Sequence, residues 1–112
     1  IPSNEEIINY VSENDLTITP TITKLNNNYP NPFNPETTIS FSLAEASNVQ
    51  IEIFDARGRK VKTLINKEYN HGNHTITWNA KDDKGKELSS GMYFYRMKTN
   101  TKIETKKMLL IK

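Results

Sequence analysis

Carboxylates, histidines and aromatic rings are the side chains of this sequence with chemistry to offer, and their spacing decides what that chemistry can be. Asp82 and Asp83 are adjacent, so on a strand they point to opposite sides and cannot share one substrate. Asp82-Asp83-Lys84-Gly85 reads as a turn, and Asp55-Ala56-Arg57-Gly58 repeats its Asp-x-x-Gly pattern, as a type I turn followed by a bulge prefers, so antiparallel hairpins are expected at both. A calcium loop over residues 79–87 fails because Lys81 stands where a second oxygen ligand is required. His71 and His74 lie on either side of Gly72, and zinc would need a third ligand that no neighbouring motif supplies.

No nucleophile elbow, phosphate-cradling glycine loop or credible Ser/His/Asp arrangement is present. The chain has no cysteine, which removes thiolate nucleophiles, disulfides and Cys-based metal sites together. The expectation is a binding, scaffolding or targeting module: not an enzyme, with no metal, no cofactor and no small-molecule substrate. Trp78, Tyr93 and Tyr95 could stack on sugars, but at strand spacing they read first as core.

Those side chains need a body to position them. A chain of 112 residues, 35% hydrophobic, can bury roughly 65% of its unfolded surface, enough for one modest core. No apolar run approaches the ~18 residues of a membrane helix. The first residue is Ile1 and not methionine, so the expectation is a mature or excised piece whose export signal lay upstream. The net charge of +2 hides an asymmetry: residues 1–56 carry eight acids and one base, residues 57–112 five acids and fourteen bases. The bases are interleaved with Thr and Glu and lack an aromatic platform, so they read as a solvated sheet face and not as a nucleic-acid site.

Tyr29-Pro30-Asn31-Pro32-Phe33-Asn34-Pro35 divides the chain. Its three prolines fix φ and push the residues before them away from helix, so a stiff, extended lead-in is expected. Upstream, residues 1–27 read as an acidic leader, with a capping box at Ser3-Asn4-Glu5-Glu6, a short helix over residues 4–12, and a short edge strand over residues 22–25. Downstream the hydrophobic period becomes two. Ile39, Phe41 and Leu43, then Val49, Ile51 and Ile53, share faces of successive strands. Another strand carries Val61, Leu64 and Ile65, a looser connection spans residues 66–72, and His74, Ile76 and Trp78 alternate after it. The run Met92 to Met97 looks buried on both faces, and a bulge near Lys106-Lys107 would reconcile Ile103 with Met108 and Leu110. About seven strands without crossover helices predict an all-β, antiparallel sandwich of immunoglobulin or fibronectin-III type, with Trp78 as its anchor.

Six ordered motifs carry a resemblance: Tyr29 to Pro35, Ile53 to Val61, Gly72-Asn73-His74 with Trp78, Asp83-Lys84-Gly85, Ser90 to Tyr95, and Lys106 to Lys112. Together, over residues 28–112, they resemble the C-terminal sorting domain of the bacterial type IX (Por) secretion system, itself similar to the immunoglobulin-like domain of the flagellar hook-capping protein. The resemblance implies a domain fused to an upstream cargo, carried through the periplasm to the cell surface or medium, recognised by the type IX translocon and removed by a sortase-like protease. Recognition would map to Pro30, Asn31 and Pro32, to Gly91 and Tyr93, and to Lys107, Met108, Leu109, Leu110, Ile111 and Lys112. Each has a structural alternative as an edge cap, a special φ or a sheet-completing strand. A mobile basic and apolar tail would suit a receptor that pairs with an edge strand. A structural or adhesive immunoglobulin-like module, or a carbohydrate-binding one, is the alternative.

Overall fold

A computed structural model describes residues 20–112, so the expected helix over residues 4–12 lies outside the described residues. The strands are β1 (Lys24–Leu25), β2 (Thr37–Leu43), β3 (Ser47–Asp55), β4 (Lys60–Tyr69), β5 (Gly72–Trp78), β6 (Gly91–Lys98) and β7 (Ile103–Leu110). They form a three-stranded sheet β1-β2-β5 facing a four-stranded sheet β4-β3-β6-β7, with every strand pair antiparallel. No helix occurs among the described residues.

Period-two patterning explains the two layers. Ile39, Phe41 and Leu43 of β2 and Val49, Ile51 and Ile53 of β3 are fully buried between the sheets, while their alternates face outward or pair across strands. Leu25 of β1 is fully buried too, so the sandwich begins upstream of the proline segment. On the outer face Glu52 accepts a hydrogen bond from its register partner Arg96 at 2.9 Å and lies 3.5 Å from Lys60. The Arg96 guanidinium also covers the Phe54 ring at 4.8 Å.

Asp55 closes the β3–β4 hairpin. One of its carboxylate oxygens accepts the backbone N–H groups of Arg57 and Arg59 at 2.9 and 3.0 Å, and the other accepts Arg59 Nε at 2.9 Å. The Arg59 backbone N–H is the main reason that the carboxyl lies below its ordinary pKa. Gly58 takes φ +84°, which a side chain would resist. Asp82 repeats the cap, accepting from Lys84 and Lys86, but its turn closes only the Lys81–Glu87 bridge. β5 and β6 belong to different sheets, so this second turn sits inside a crossover and not between paired strands.

Four other expectations change. β4 runs on to Tyr69 where a looser connection was expected, because residues 67–69 pair with Val49, Asn48 and Ser47 and the Tyr69 ring packs against Phe41 and His74. β7 has no bulge: its register with β6 is continuous, and Ile103 is simply on the outer face, 61% exposed. β6 is buried on one face only; Tyr93, Tyr95 and Met97 point inward while Phe94 and Arg96 are half-covered and Met92 is exposed. The proline segment is a series of bends with cis peptides before Pro30, Pro32 and Pro35, not an extended rod. It must turn because Tyr29 is bridged to Thr38 in one sheet and Phe33 to Leu110 in the other.

Candidate functional site

The proline segment ends on the outer rim of β7, the edge strand of the larger sheet. Phe33 donates its N–H to the Leu109 carbonyl and accepts the Ile111 N–H, each at 3.0 Å, which makes a short parallel bridge. Asn31 Oδ1 accepts the Leu109 N–H at 3.0 Å. The Lys112 N–H donates to Ser90 Oγ at 2.9 Å, beside the start of β6.

Register completes the convergence, since Gly91 lies opposite Leu110 and Tyr93 opposite Met108. The proline segment, the start of β6 and the tail, far apart in sequence, therefore form one corner of the sandwich. Side chains within that corner differ in what they offer. Pro30, Asn31, Pro32, Lys107 and Lys112 are exposed, and Ile111 is 49% exposed. Met108 and Leu110 are core side chains, at 1% and 0%, and Tyr93 is buried with its hydroxyl donating to the Ser89 carbonyl at 2.7 Å. The expected mobile tail is thus a docked strand, because its alternate apolar residues fit the inter-sheet space, its backbone pairs with β6, and Leu109 and Ile111 are also bonded to the proline segment. Gly91 has φ +155°, and no atom lies within 4 Å of where a Cβ would stand, so conformation rather than crowding selects glycine there.

Two residues outside the expected set hold the corner together. Phe33 is 2% exposed and packs at 5.9 Å from Trp78, whose ring in turn meets Tyr93 edge-on at 5.9 Å. Asn28, just ahead of the proline segment, is buried, and its Nδ2 donates to Thr37 Oγ1 at 3.0 Å while that hydroxyl donates to the Pro30 carbonyl at 2.9 Å. The signals were an aromatic set among prolines and an Asn ahead of them; neither marks burial by itself.

The histidines are occupied within the fold. His74 Nε2 meets the Asn70 carbonyl at 2.7 Å, and His71 Nε2 meets the Pro20 carbonyl at 2.9 Å. Among the described residues no three His, Asp or Glu side chains come together as a metal site would require. No described helix is long and apolar enough to cross a membrane.

Tyr95 ties the segment before the prolines to the core. Its hydroxyl donates to the Asn26 carbonyl at 2.8 Å, and burial pushes its pKa up to about 12. An acid whose folded pKa exceeds its unfolded value favours the folded state while protonated; that contribution fades as pH rises from about 10, the unfolded value, to about 12. Tyr95→Phe is expected to cost about 1–2 kcal/mol at neutral pH by leaving the Asn26 carbonyl unpaired, and to flatten this alkaline loss. Urea unfolding at a series of pH values measures both.

Residues 27–112 match the family described as the secretion system C-terminal sorting domain. Comparison with curated proteins yields no match. Among solved structures, dimeric latent PorU from Porphyromonas gingivalis is similar at 24% identity and a TM-score of 0.66, over 84% of this chain and 10% of that one. PorZ from the same organism, an essential bacterial surface component of the type IX secretion system, is similar at 23% identity and a TM-score of 0.52, over 80% and 11%. FlgD from Xanthomonas campestris, which acts in flagellar hook capping, is similar at 25% identity and a TM-score of 0.52, over 67% and 55%. This chain therefore spans about a tenth of the PorU and PorZ chains and about half of FlgD, and at these identities PorU and PorZ share its fold. The family match runs through the proline segment, both Asp-x-x-Gly turns and the tail, and this chain belongs to the secretion system C-terminal sorting domain family.

Proposed function

We propose that this domain directs an upstream protein through the type IX secretion system to the cell surface or medium, and that the translocon reads the corner where the proline segment meets the tail. The observation that carries the reading is the pairing of Asn31 and Phe33 with Leu109 and Ile111, which makes one exposed surface from parts that only a folded domain brings together. Pro30, Pro32, Lys107, Ile111 and Lys112 present that surface, while Gly91, Tyr93, Met108 and Leu110 hold it in shape. A sortase-like protease that removes the domain would cut ahead of Tyr29.

The test is surface delivery of a reporter fused ahead of the whole chain in a type IX-competent bacterium. Removing Ile111 and Lys112, which contribute no buried side chain but donate backbone hydrogen bonds to the Phe33 carbonyl and Ser90 Oγ, is expected to lower delivery about tenfold while a cooperative unfolding transition survives, at a cost of about 1–3 kcal/mol. Undiminished delivery would sink the reading. The FlgD likeness favours a second reading, a structural module that assembles with copies of itself; sedimentation showing concentration-dependent oligomers would support it.

A further inference from the structure

The rim of β7 is filled from both ends and open in the middle. At one end Asn31 and Phe33 occupy the outward groups of Leu109 and Ile111. At the other, the Glu104 carboxylate reaches across to the Leu25 N–H of the opposite sheet. Backbone groups of an edge strand alternate in direction, so if Leu109 faces away from β6, Lys107 and Thr105 do as well. Among the described residues nothing bonds to the outward N–H and C=O of either. A groove of about 710 Å³ runs alongside, between residues 27–31 and Thr105–Lys107, with Phe94 in its lining and Tyr29, 81% exposed, at its lip. Asn28 lines it too, and its buried Oδ1 has no hydrogen-bond partner among the described residues.

We propose that this groove binds an extended peptide segment of acidic character, which adds a strand to β7 at Thr105 and Lys107. The rim offers donors and acceptors in alternation along an extended line, which a peptide backbone matches and a sulfate or phosphodiester, having no donor, does not. Lys106 and Lys107 set the charge of the occupant: they point to opposite faces of β7, so carboxylates on either face of the incoming strand meet one ammonium group, whereas a second copy would bring its own lysines against them. Tyr29 supplies an apolar face for an alternate side chain. The plain competing account is that the lysines only guard an exposed edge against association, and it predicts that no peptide binds. The proposal does not rest on the export reading, since the groove and the open rim belong to the fold whichever machinery the domain meets.

Amide hydrogen exchange on the full chain, read residue by residue by NMR, tests it. The probe is a capped hexapeptide alternating glutamate and valine at millimolar concentration, with the lysine–valine hexapeptide and an N-methylated glutamate–valine hexapeptide as controls. The amides of Thr105 and Lys107 are expected to slow about tenfold or more with the first peptide and with neither control, and Lys106→Glu with Lys107→Glu is expected to weaken binding about tenfold. Several results would overturn the proposal: no protection at those two amides, equal binding of the lysine peptide, protection along β4 instead, or protection that grows with protein concentration before any peptide is added. Each of these leaves the reporter experiment standing, because that experiment alters Ile111 and Lys112.

Discussion

Deleting Lys107 to Lys112 is expected to abolish the cooperative unfolding transition, and Leu110→Ala alone is expected to cost about 2–5 kcal/mol. The deletion takes Met108 and Leu110 out of the core, where they are 1% and 0% exposed, and strips the last four β7 partners from Gly91–Phe94. Two buried side chains of this kind together contribute about 4–10 kcal/mol, comparable with the whole stability of about 5–15 kcal/mol that a small domain possesses. Circular dichroism through a urea titration decides it; a sigmoidal transition surviving in the deleted chain would show that the tail is not structural. The result bears directly on export, because a translocon that ignores an unfolded domain and one that reads the tail itself respond alike to this deletion. Only the shorter removal of Ile111 and Lys112 separates them.

Trp78→Ala is expected to cost about 3–5 kcal/mol, the usual toll of removing a buried tryptophan. Trp78 is 1% exposed, stands between Phe33 of the proline segment and Tyr93 of β6, and donates its Nε1–H to the Lys81 carbonyl at 3.0 Å. Truncation leaves a cavity, an unpaired carbonyl and a Phe33 ring without its neighbour, so the proline segment should loosen from the rim. A double-mutant cycle of Trp78 with Phe33 is expected to give a coupling of about 0.5–1.5 kcal/mol, as aromatic pairs do. Loss below about 1 kcal/mol in Trp78→Ala would mean that the indole is peripheral to stability.

Much of the fold was legible because half-buried strands print their geometry as alternation. Ile39-Phe41-Leu43 and Val49-Ile51-Ile53 are read correctly from sequence because neighbouring residues on each strand see either core or solvent. The same rule misleads at β4, where Lys67 and Glu68 look like loop: the strand there is an edge with one open face, and polar residues suit it as well as they suit a turn. In β7, hydrophobicity alone places Ile103 inward and calls for a bulge that the continuous register with β6 does not contain. An exposed isoleucine is common, and the period of two running back from Leu110 and Met108 puts Ile103 on the outer face without a bulge.

The candidate corner was legible as a set of residues and not as a place. Motif order pointed to Asn31, Gly91, Tyr93 and the tail, but nothing local in the sequence says that Asn31 accepts from Leu109, 78 positions away. Long-range pairing of that kind is decided by which sheet each strand joins. The roles inside the set were also mixed: Met108 and Leu110 serve packing, Ile111 and Lys112 face outward, and only burial tells them apart.

The bridge between Phe33 and Leu110 also orders events during synthesis. A ribosome releases Phe33 long before Leu110, and until the later residue emerges the first has no partner on β7 and Trp78 lacks the strand pair that closes over it. The corner therefore cannot form before Leu110 has been made, and contacts between residues so far apart in sequence slow folding. A chain broken off before Leu110 would lack the Phe33 bridge and a fully buried core side chain, so a machine that reads the corner would also reject incomplete copies.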